Sequence, residues 1–152
     1  MNVFNKIIER LYFLQKNNLA LYCQYTKAYN RNWWIKVARK KFNRKDCFIT
    51  IVDVDNLKQY NDSYGHLAGN LLIKSLSSTL LKVFREGCYV CRYGGDEFIL
   101  ITSYDPTKKL KVLSSNFSFG VYHKSSMESL KVAFREADRV LYEMKKDKKG
   151  TL

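Results

Sequence analysis

The sequence has little of what marks flexible linkers or membrane spans. Among 152 residues there is one proline, Pro106, and no Gly/Ser-rich stretch or internal repeat, so a single domain is indicated. Charged and polar residues interrupt the partly apolar stretch from Met1 to Tyr25 too often for it to cross a bilayer. No secretory signal is visible either, so we expect a cytoplasmic protein without a membrane span.

Cysteine and histidine are also scarce, with four and two residues respectively. Cys88 and Cys91 have CxxC spacing, but no second ligand pair accompanies them and both histidines lie far away in the sequence. The alternation in CYVCRY (88–93) favours a strand over a zinc or redox site. We therefore expect four reduced thiols in a reducing compartment.

Acidic residues are few relative to basic ones, 14 against 27, which gives a net charge of +13. Such a balance favours a polyanionic partner: nucleic acid, an anionic membrane surface or nucleotide phosphates. Many of the lysines are also expected on a solvated surface, so charge alone does not decide. Readers of single-stranded nucleic acid expose aromatic side chains on a sheet face, whereas Trp33 and Trp34 lie on a predicted helix. Nucleic acid is therefore the least favoured partner.

Hydrophobic periodicity predicts two regions. Residues 1–23 are interpreted as an amphipathic helix, a stalk for dimerisation or signalling, and residues 24–152 as one α+β domain. A further helix is predicted to begin near Asn30. The other predicted elements are strands at 47–54, 88–93, 96–102 and 116–123, a short helix at 107–113, and long helices at 66–84 and 127–146. The buried stripe of helix 66–84 is predicted to comprise Leu67, Leu71, Leu72, Leu76 and Leu80.

Without the first two helices, the order is β-α-β-β-α-β followed by a helix, which is that of a ferredoxin-like split βαβ fold. This palm-type antiparallel sheet has flanking helices, and its first and third strands are central neighbours. The end of the first strand, with Asp53 and Asp55, therefore meets the start of the third, with Asp96 and Glu97. We expect these four carboxylates to converge on one edge of the sheet.

Carboxylates that converge repel one another unless a cation neutralises them, and a hard divalent ion is the natural occupant. Mg²⁺ with one or two carboxylates and substrate phosphates is typical of phosphoryl or nucleotidyl transfer. Gly94 and Gly95 leave the backbone before Asp96 bare, so a ligand can approach closely. The structural alternative is a hairpin that simply carries acidic residues at its solvent-exposed end. The presence of Asp53 and Asp55 at the end of a second strand argues against this alternative.

Several motifs together resemble one family. Arg92-Tyr-Gly-Gly-Asp-Glu-Phe98 resembles the signature that names the GGDEF domains of diguanylate cyclases. The stretch from Asp53 to His66 resembles the metal and substrate loop of that family, in register throughout. Shorter matches are Tyr29-Asn-Arg31, Phe117-Ser-Phe-Gly-Val121 and Ala137-Asp-Arg-Val-Leu-Tyr142. The resemblance extends from about Thr26 to the C-terminus.

The resemblance implies a magnesium-dependent (or manganese-dependent) enzyme that condenses two purine nucleoside triphosphates, GTP and possibly ATP, into a cyclic dinucleotide such as c-di-GMP, releasing pyrophosphate. Each active site of the family holds one nucleotide, so a homodimer is needed to close the ring. The resemblance assigns roles to three sets of residues. Metal ligands would be Asp53, the Val54 carbonyl, Asp96 and Glu97; catalysis would fall to Asp53, Asp96 and Glu97; substrate would be bound by Lys58, Asn61, Asn70, Lys145 and Lys149.

Three departures from the family pattern bear on function. Asn70 stands where the family has a guanine-reading Asp, which leaves base preference open between GTP and ATP. Arg85-Glu-Gly-Cys88 replaces the Arg-x-x-Asp of the product-inhibition site, so tight feedback inhibition is not expected. Cys23 falls where an Asp usually opens the domain, and the stretch between Thr102 and Phe117 is short.

The alternative function is a catalytically weak or degenerate GGDEF-like module that binds a nucleotide or a protein partner. Degenerate members usually lose the signature acids, whereas this chain keeps Asp53, Asp96, Glu97 and Lys58. With no sensor domain in the sequence, regulation is expected to come from a partner at the N-terminal helix, unless the enzyme is constitutive.

Overall fold

The computed structural model describes residues 20–150. The amphipathic helix predicted for residues 1–23 lies outside this range except at its end. There, residues 20 and 21 form a turn, and Tyr22 forms an isolated antiparallel bridge with Tyr29, so the chain is not helical at these positions.

Five strands form one sheet in the spatial order β1-β3-β4-β2-β5. Their bounds are β1 Tyr29–Asn30, β2 Cys47–Val54, β3 Cys88–Arg92, β4 Glu97–Thr102 and β5 Phe117–Lys124. All neighbours are antiparallel except the short β1, which pairs parallel to β3. The predicted first and third strands, β2 and β4, are indeed adjacent at the centre, which confirms the split βαβ topology.

The helix predicted to begin near Asn30 is present, and Asn30 is its N-cap because its side chain accepts a hydrogen bond from the Trp33 amide. We name it α1; it consists of the consecutive segments Arg31–Trp33, Trp34–Ala38, which is a π-helical turn, and Arg39–Phe42. Trp33 and Trp34 are buried against the sheet. These rings therefore belong to the hydrophobic core.

Two helices follow β2, where one was predicted. The additional helix, α2 (Leu57–Tyr64), has only eight residues and none of them is fully buried, so it lacks the long apolar stripe that predicted the other helices. Gly65, with φ of 83°, separates it from α3 (His66–Val83). The left-handed backbone at Gly65 lets the chain turn sharply between the two helices.

The predicted buried stripe of α3 is wrong at two positions. Leu67 and Leu71 are 75% and 56% exposed. The buried face is formed instead by Gly69, Ile73, Leu76, Ser77 and Leu80. At 100° per residue Leu67 lies roughly 160° from Gly69 around the helix, and Leu71 faces the same way. Residue type suggested burial at these positions, but helical geometry places both side chains in solvent.

The remaining helices are α4 (Thr107–Leu113), as predicted, and α5 (Leu130–Gly150), which begins later and ends later than predicted. Gly120 of β5 lets α5 lie directly on the sheet. A Cβ atom there would stand 2.1 Å from the Ala137 carbonyl oxygen and 2.3 Å from the Leu141 nitrogen. This close contact fixes the position of α5, whose far end carries Lys145 and Lys149.

Core side chains fill both faces of the sheet. One cluster packs α1 and α5 against it, and the other packs α3 and α4. Among residues 20–150, no helix combines the length and the apolar character needed to cross a bilayer.

Candidate active site at the acidic edge of the sheet

The pairing of β2 with β4 brings acidic residues together. Asp53 at the end of β2 is the direct register partner of Glu97 at the start of β4. The Val54 amide donates to the Asp96 carbonyl oxygen at 3.3 Å, so Asp96 lies at the same edge. Asp53, Asp96 and Glu97 therefore converge as the topology predicted.

Burial and mutual repulsion raise the pKa values of two of these acids. For Asp53, desolvation raises the pKa; the Lys145 ammonium opposes this, and the charges of Asp96 and Asp55 reinforce it. For Glu97, desolvation also dominates, and the negative charges of Asp53, Asp96 and Asp138 add to it. A cation bound between these carboxylates would reduce the repulsion that contributes to their raised pKa values.

Asp55 does not point into this cluster. Its Oδ1 accepts a 2.6 Å hydrogen bond from Ser118 Oγ, and its Oδ2 accepts a 2.7 Å bond from Lys148 Nζ. Lys148 Nζ also donates to the Phe117 carbonyl oxygen at 2.8 Å. Asp55 thus ties the last turns of α5 to β5, which the sequence reasoning did not foresee. One signal in the sequence could have indicated this contact. The two acids Asp53 and Asp55 pair with two lysines one helical turn apart, Lys145 and Lys148.

Basic residues line a groove next to the acidic edge. This groove, about 1020 Å³ in volume, lies between the N-terminal end of α2 and the C-terminal end of α5. Its lining comprises Asp55, Asn56, Gln59, Ser114, Ser115, Asn116, Ser118, Lys145, Lys148 and Lys149. No side chain caps the α2 N-terminus, and free amide groups at such a terminus attract anions. Lys58, in the first turn of α2, is exposed.

The two predicted base-reading residues differ in environment. Asn61, on α2, packs against Gly69 of α3, where a Cβ would lie only 1.8 Å from the Asn61 Oδ1 atom. That Oδ1 is buried and accepts no hydrogen bond from any residue that the structure describes. Asn70 is exposed on α3. Asn61 therefore keeps an unsatisfied acceptor, while Asn70 is open to solvent and to a ligand.

The donor chemistry of the acidic edge fits a hard divalent cation. Asp53, Asp96 and Glu97 offer carboxylate oxygens, the ligands that Mg²⁺ and Mn²⁺ prefer. Within residues 20–150, however, no three His, Cys, Asp or Glu side chains already stand in a metal-binding arrangement. Lys145 Nζ lies 2.5 Å from Asp53 Oδ1, so one of these carboxylates is already paired with a cationic side chain.

The signature turn is held by Arg92. Its Nε and Nη2 donate to the Gly95 carbonyl oxygen at 3.2 and 2.7 Å, and its Nη1 lies 3.7 Å from Cys23 Sγ. Partial burial opposes ionisation of Cys23, but hydrogen bonding by Thr26 and by the Arg92 guanidinium outweighs it and lowers the pKa to about 7. Cys23, which stands where the family usually has an Asp, therefore contacts the Arg92 guanidinium through its thiol.

Comparison with known proteins decides the family. The family model described as "Diguanylate cyclase, GGDEF domain" matches residues 20–116, more than half of the chain. This chain belongs to the GGDEF domain family. The resemblance inferred from the motifs is thereby confirmed.

Relatives within the GGDEF family are diguanylate cyclases. The chain is 28% identical over 131 residues to diguanylate cyclase DgcP of Pseudomonas aeruginosa, covering 73% of this chain and 20% of that protein. It is 32% identical over 123 residues to VdcA of Vibrio cholerae, covering 64% of this chain and 35% of that protein. The chain thus spans about a fifth to a third of the length of these relatives.

Solved GGDEF structures share the fold. The coiled coil and GGDEF domain of DgcB from Caulobacter crescentus, solved in complex with c-di-GMP, aligns with a TM-score of 0.77 at 22% identity, covering 94% of this chain and 91% of that one. Diguanylate cyclase SiaD from Pseudomonas aeruginosa, in complex with its activator SiaC, aligns with a TM-score of 0.76 at 20% identity, covering 95% and 65%. These alignments confirm the predicted α+β fold class.

All four cysteines are free thiols in the structure, and their environments predict different reactivities. At neutral pH, limiting iodoacetamide is expected to label Cys23 first, because its thiolate is the most populated. Burial raises the pKa values of Cys88 and Cys91 to about 12 and also raises that of Cys47. Peptide mapping by mass spectrometry measures the order of labelling. Faster labelling of Cys88 than of Cys23 would contradict this assignment.

Proposed function

We propose that this GGDEF domain is a divalent-metal-dependent nucleotidyltransferase that condenses two purine nucleoside triphosphates into a cyclic dinucleotide. GTP yielding c-di-GMP is the expected reaction, with ATP as a competing substrate. The proposal rests chiefly on one observation: the Asp53–Glu97 pair lies directly beside a lysine-rich groove. The acidic edge can bind a metal ion, and the adjoining basic groove can bind a triphosphate. Together they complement the cation and the anion of a metal–nucleotide complex.

Asp53, Asp96, Glu97 and the Val54 carbonyl are proposed to hold the divalent cation, Mg²⁺ or Mn²⁺. When bound, this ion supplies charge stabilisation for the attacking and leaving oxygens. The raised pKa values of Asp53 and Glu97 support this assignment, because neutralising the cluster removes a repulsion that the metal-free protein retains.

The triphosphate is proposed to lie in the groove, contacted by Lys145 and Lys149 of its lining and by the free amide groups at the α2 N-terminus. Lys58, exposed in the first turn of α2, is not part of the lining and is proposed to reach the phosphates from outside it. Asn61 and Asn70 are proposed to bind the purine. The unsatisfied Asn61 Oδ1 supports this role, since a purine amine or ring N–H supplies the donor that the chain does not. Reaching that atom requires the side chain to rotate away from Gly69.

In the reaction, the 3′-hydroxyl oxygen of one nucleotide bonds to the α-phosphorus of the other. The bond from that phosphorus to the β-phosphate bridge breaks, and pyrophosphate leaves. Glu97, which is the register partner of Asp53 at this edge of the sheet, is proposed to help take the hydroxyl proton. A second transfer closes the ring. Since each site holds one nucleotide, two chains must meet face to face, so we propose a homodimer as the active form.

Incubation with GTP, ATP or both, with Mg²⁺ or Mn²⁺, followed by mass identification of the product, tests the proposal. A cyclic dinucleotide and pyrophosphate are expected. Asp53→Asn should reduce product by at least about 100-fold, the usual order of effect for a group central to the chemistry. Asp105→Asn, a surface change before α4 that keeps the contacts to Thr107 possible, is the matched control and should retain activity. Nucleotide binding without turnover would favour the degenerate-module alternative.

A further inference from the structure

Lys145 lies between two cavities. One is the lysine-rich groove described above. The other, about 490 Å³ in volume, is lined by the acidic residues Asp53, Glu97, Glu136 and Asp138 and by the basic residues Arg135 and Arg139. Lys145 lines both cavities. Its flexible four-carbon stem carries a point charge that can serve either side.

Lys145 neutralises the acidic side in this structure. Its Nζ donates to Asp53 Oδ1 at 2.5 Å, and the Asp53 side chain is only 14% exposed. Glu97, opposite Asp53, forms no ion pair within the described range of 20–150. The ammonium of Lys145 is therefore the counter-cation of the cluster, whereas the family resemblance assigns this lysine to the triphosphate.

We propose that Lys145 is an exchangeable counter-cation that couples the metal site to the phosphate site. It neutralises Asp53 while no divalent ion is bound, and it turns to the triphosphate once an ion takes its place. This inference rests on the proposed function, because it requires Asp53 to be a metal ligand. It adds that the metal must compete with a residue of the chain itself.

Electrostatics supports the exchange. An ammonium and a divalent cation cannot share one carboxylate without strong repulsion at short range. The absence of a ready-made three-residue ligand set within 20–150 agrees with a site that assembles as Lys145 leaves. By thermodynamic linkage, a lysine released from Asp53 makes triphosphate binding more favourable, and the triphosphate in turn favours metal binding.

The test measures metal affinity directly. Mn²⁺ binding to the nucleotide-free protein is followed by electron paramagnetic resonance for the wild type, Lys145→Met and Lys149→Met. Lys145→Met should bind Mn²⁺ about tenfold more tightly, within the roughly 5- to 150-fold range of coupled sites. Lys149→Met, which removes the same charge from the same helix without touching Asp53, should stay within about twofold.

A second measurement separates this effect from general charge removal. Binding of inorganic tripolyphosphate at saturating Mn²⁺ should weaken in both variants, because Lys145 has then left Asp53 and both lysines are available to the groove that they line. Only Lys145→Met should therefore change the two affinities in opposite directions. Thermal melts check folding, and Lys145→Gln replaces the methionine variant if it fails to fold.

Two outcomes would overturn the inference, and they differ in their consequence. Equal Mn²⁺ affinity in the wild type and Lys145→Met would refute the exchange and leave the proposed function standing. No Mn²⁺ binding by any of the three proteins would refute both, since Asp53 would then hold no metal.

Discussion

Glu97→Gln is expected to abolish product formation while making the metal-free protein more resistant to unfolding. The loss of activity should be at least about 100-fold, since the change removes a proposed metal ligand and proton acceptor. The gain in stability follows because glutamine has nearly the same shape and no charge, so it does not repel Asp53, Asp96 or Asp138. Solvent screening limits this gain, and a rise in Tm of roughly 2–4 °C is expected for a domain of this size.

The direction of the stability change caused by Glu97→Gln depends on pH. The folded-state pKa of Glu97 is raised above its ordinary value of 4.5, so the folded state binds a proton more tightly than the unfolded state does. The stabilisation from this proton is complete below the ordinary value and is lost as pH rises through the raised value. Glu97→Gln should therefore stabilise the protein at neutral pH and have little effect near about pH 4.

Asp53→Asn is the informative comparison. It should also abolish activity. Because it removes the ion pair with Lys145 together with the repulsion, its rise in Tm should be smaller than that of Glu97→Gln. Thermal melts in chelator-treated buffer at both pH values, together with product assays, provide the measurements. If Glu97→Gln were less stable than the wild type at neutral pH, repulsion would not be the dominant effect at position 97.

The sheet and the acidic edge could be predicted because strong local signals were present. The apolar β-branched run at 47–54 and the Gly94-Gly95 hairpin define β2, β3 and β4, and the split βαβ order then determines which strand ends meet. The register of Asp53 with Glu97 follows from this topology. No contact between distant side chains had to be guessed.

Other features could not be predicted because their causes lie in packing. Helix α2 has only eight residues, none of them fully buried, and β1 contains only two residues. Leu67 and Leu71 were misplaced because residue type was weighed over angular position on α3. The exchange of roles at Lys145 depends on where α5 crosses the sheet, which Gly120 determines by close backbone contact. The sequence motifs identify the residues of the site, but which of them contact one another can be seen only in the folded structure.

In the proposed reaction, the preference between GTP and ATP is expected to depend on Asn70. A carboxylate at this position accepts from both guanine N1–H and the exocyclic amine, and it leaves adenine N1 facing an acceptor. An amide can donate to adenine N1, so the penalty against ATP falls while the advantage for GTP is reduced. With equimolar GTP and ATP, we therefore expect a mixed or adenine-containing product beside c-di-GMP.

Asn70→Asp should shift the product pool toward c-di-GMP. Once a bound base covers position 70, a polar group left there without a partner costs about 1–3 kcal/mol, so the GTP/ATP selectivity should rise roughly 10- to 100-fold. Because Asn70 is exposed on α3, the substitution should leave Tm nearly unchanged. Ser78→Asp, an exposed site on the same helix about 12 Å further along, adds the same charge away from the base and is the control. Competition assays with mass identification of each dinucleotide measure the ratio. Use of GTP alone by the wild type, with an unchanged ratio in Asn70→Asp, would show that position 70 does not read the base.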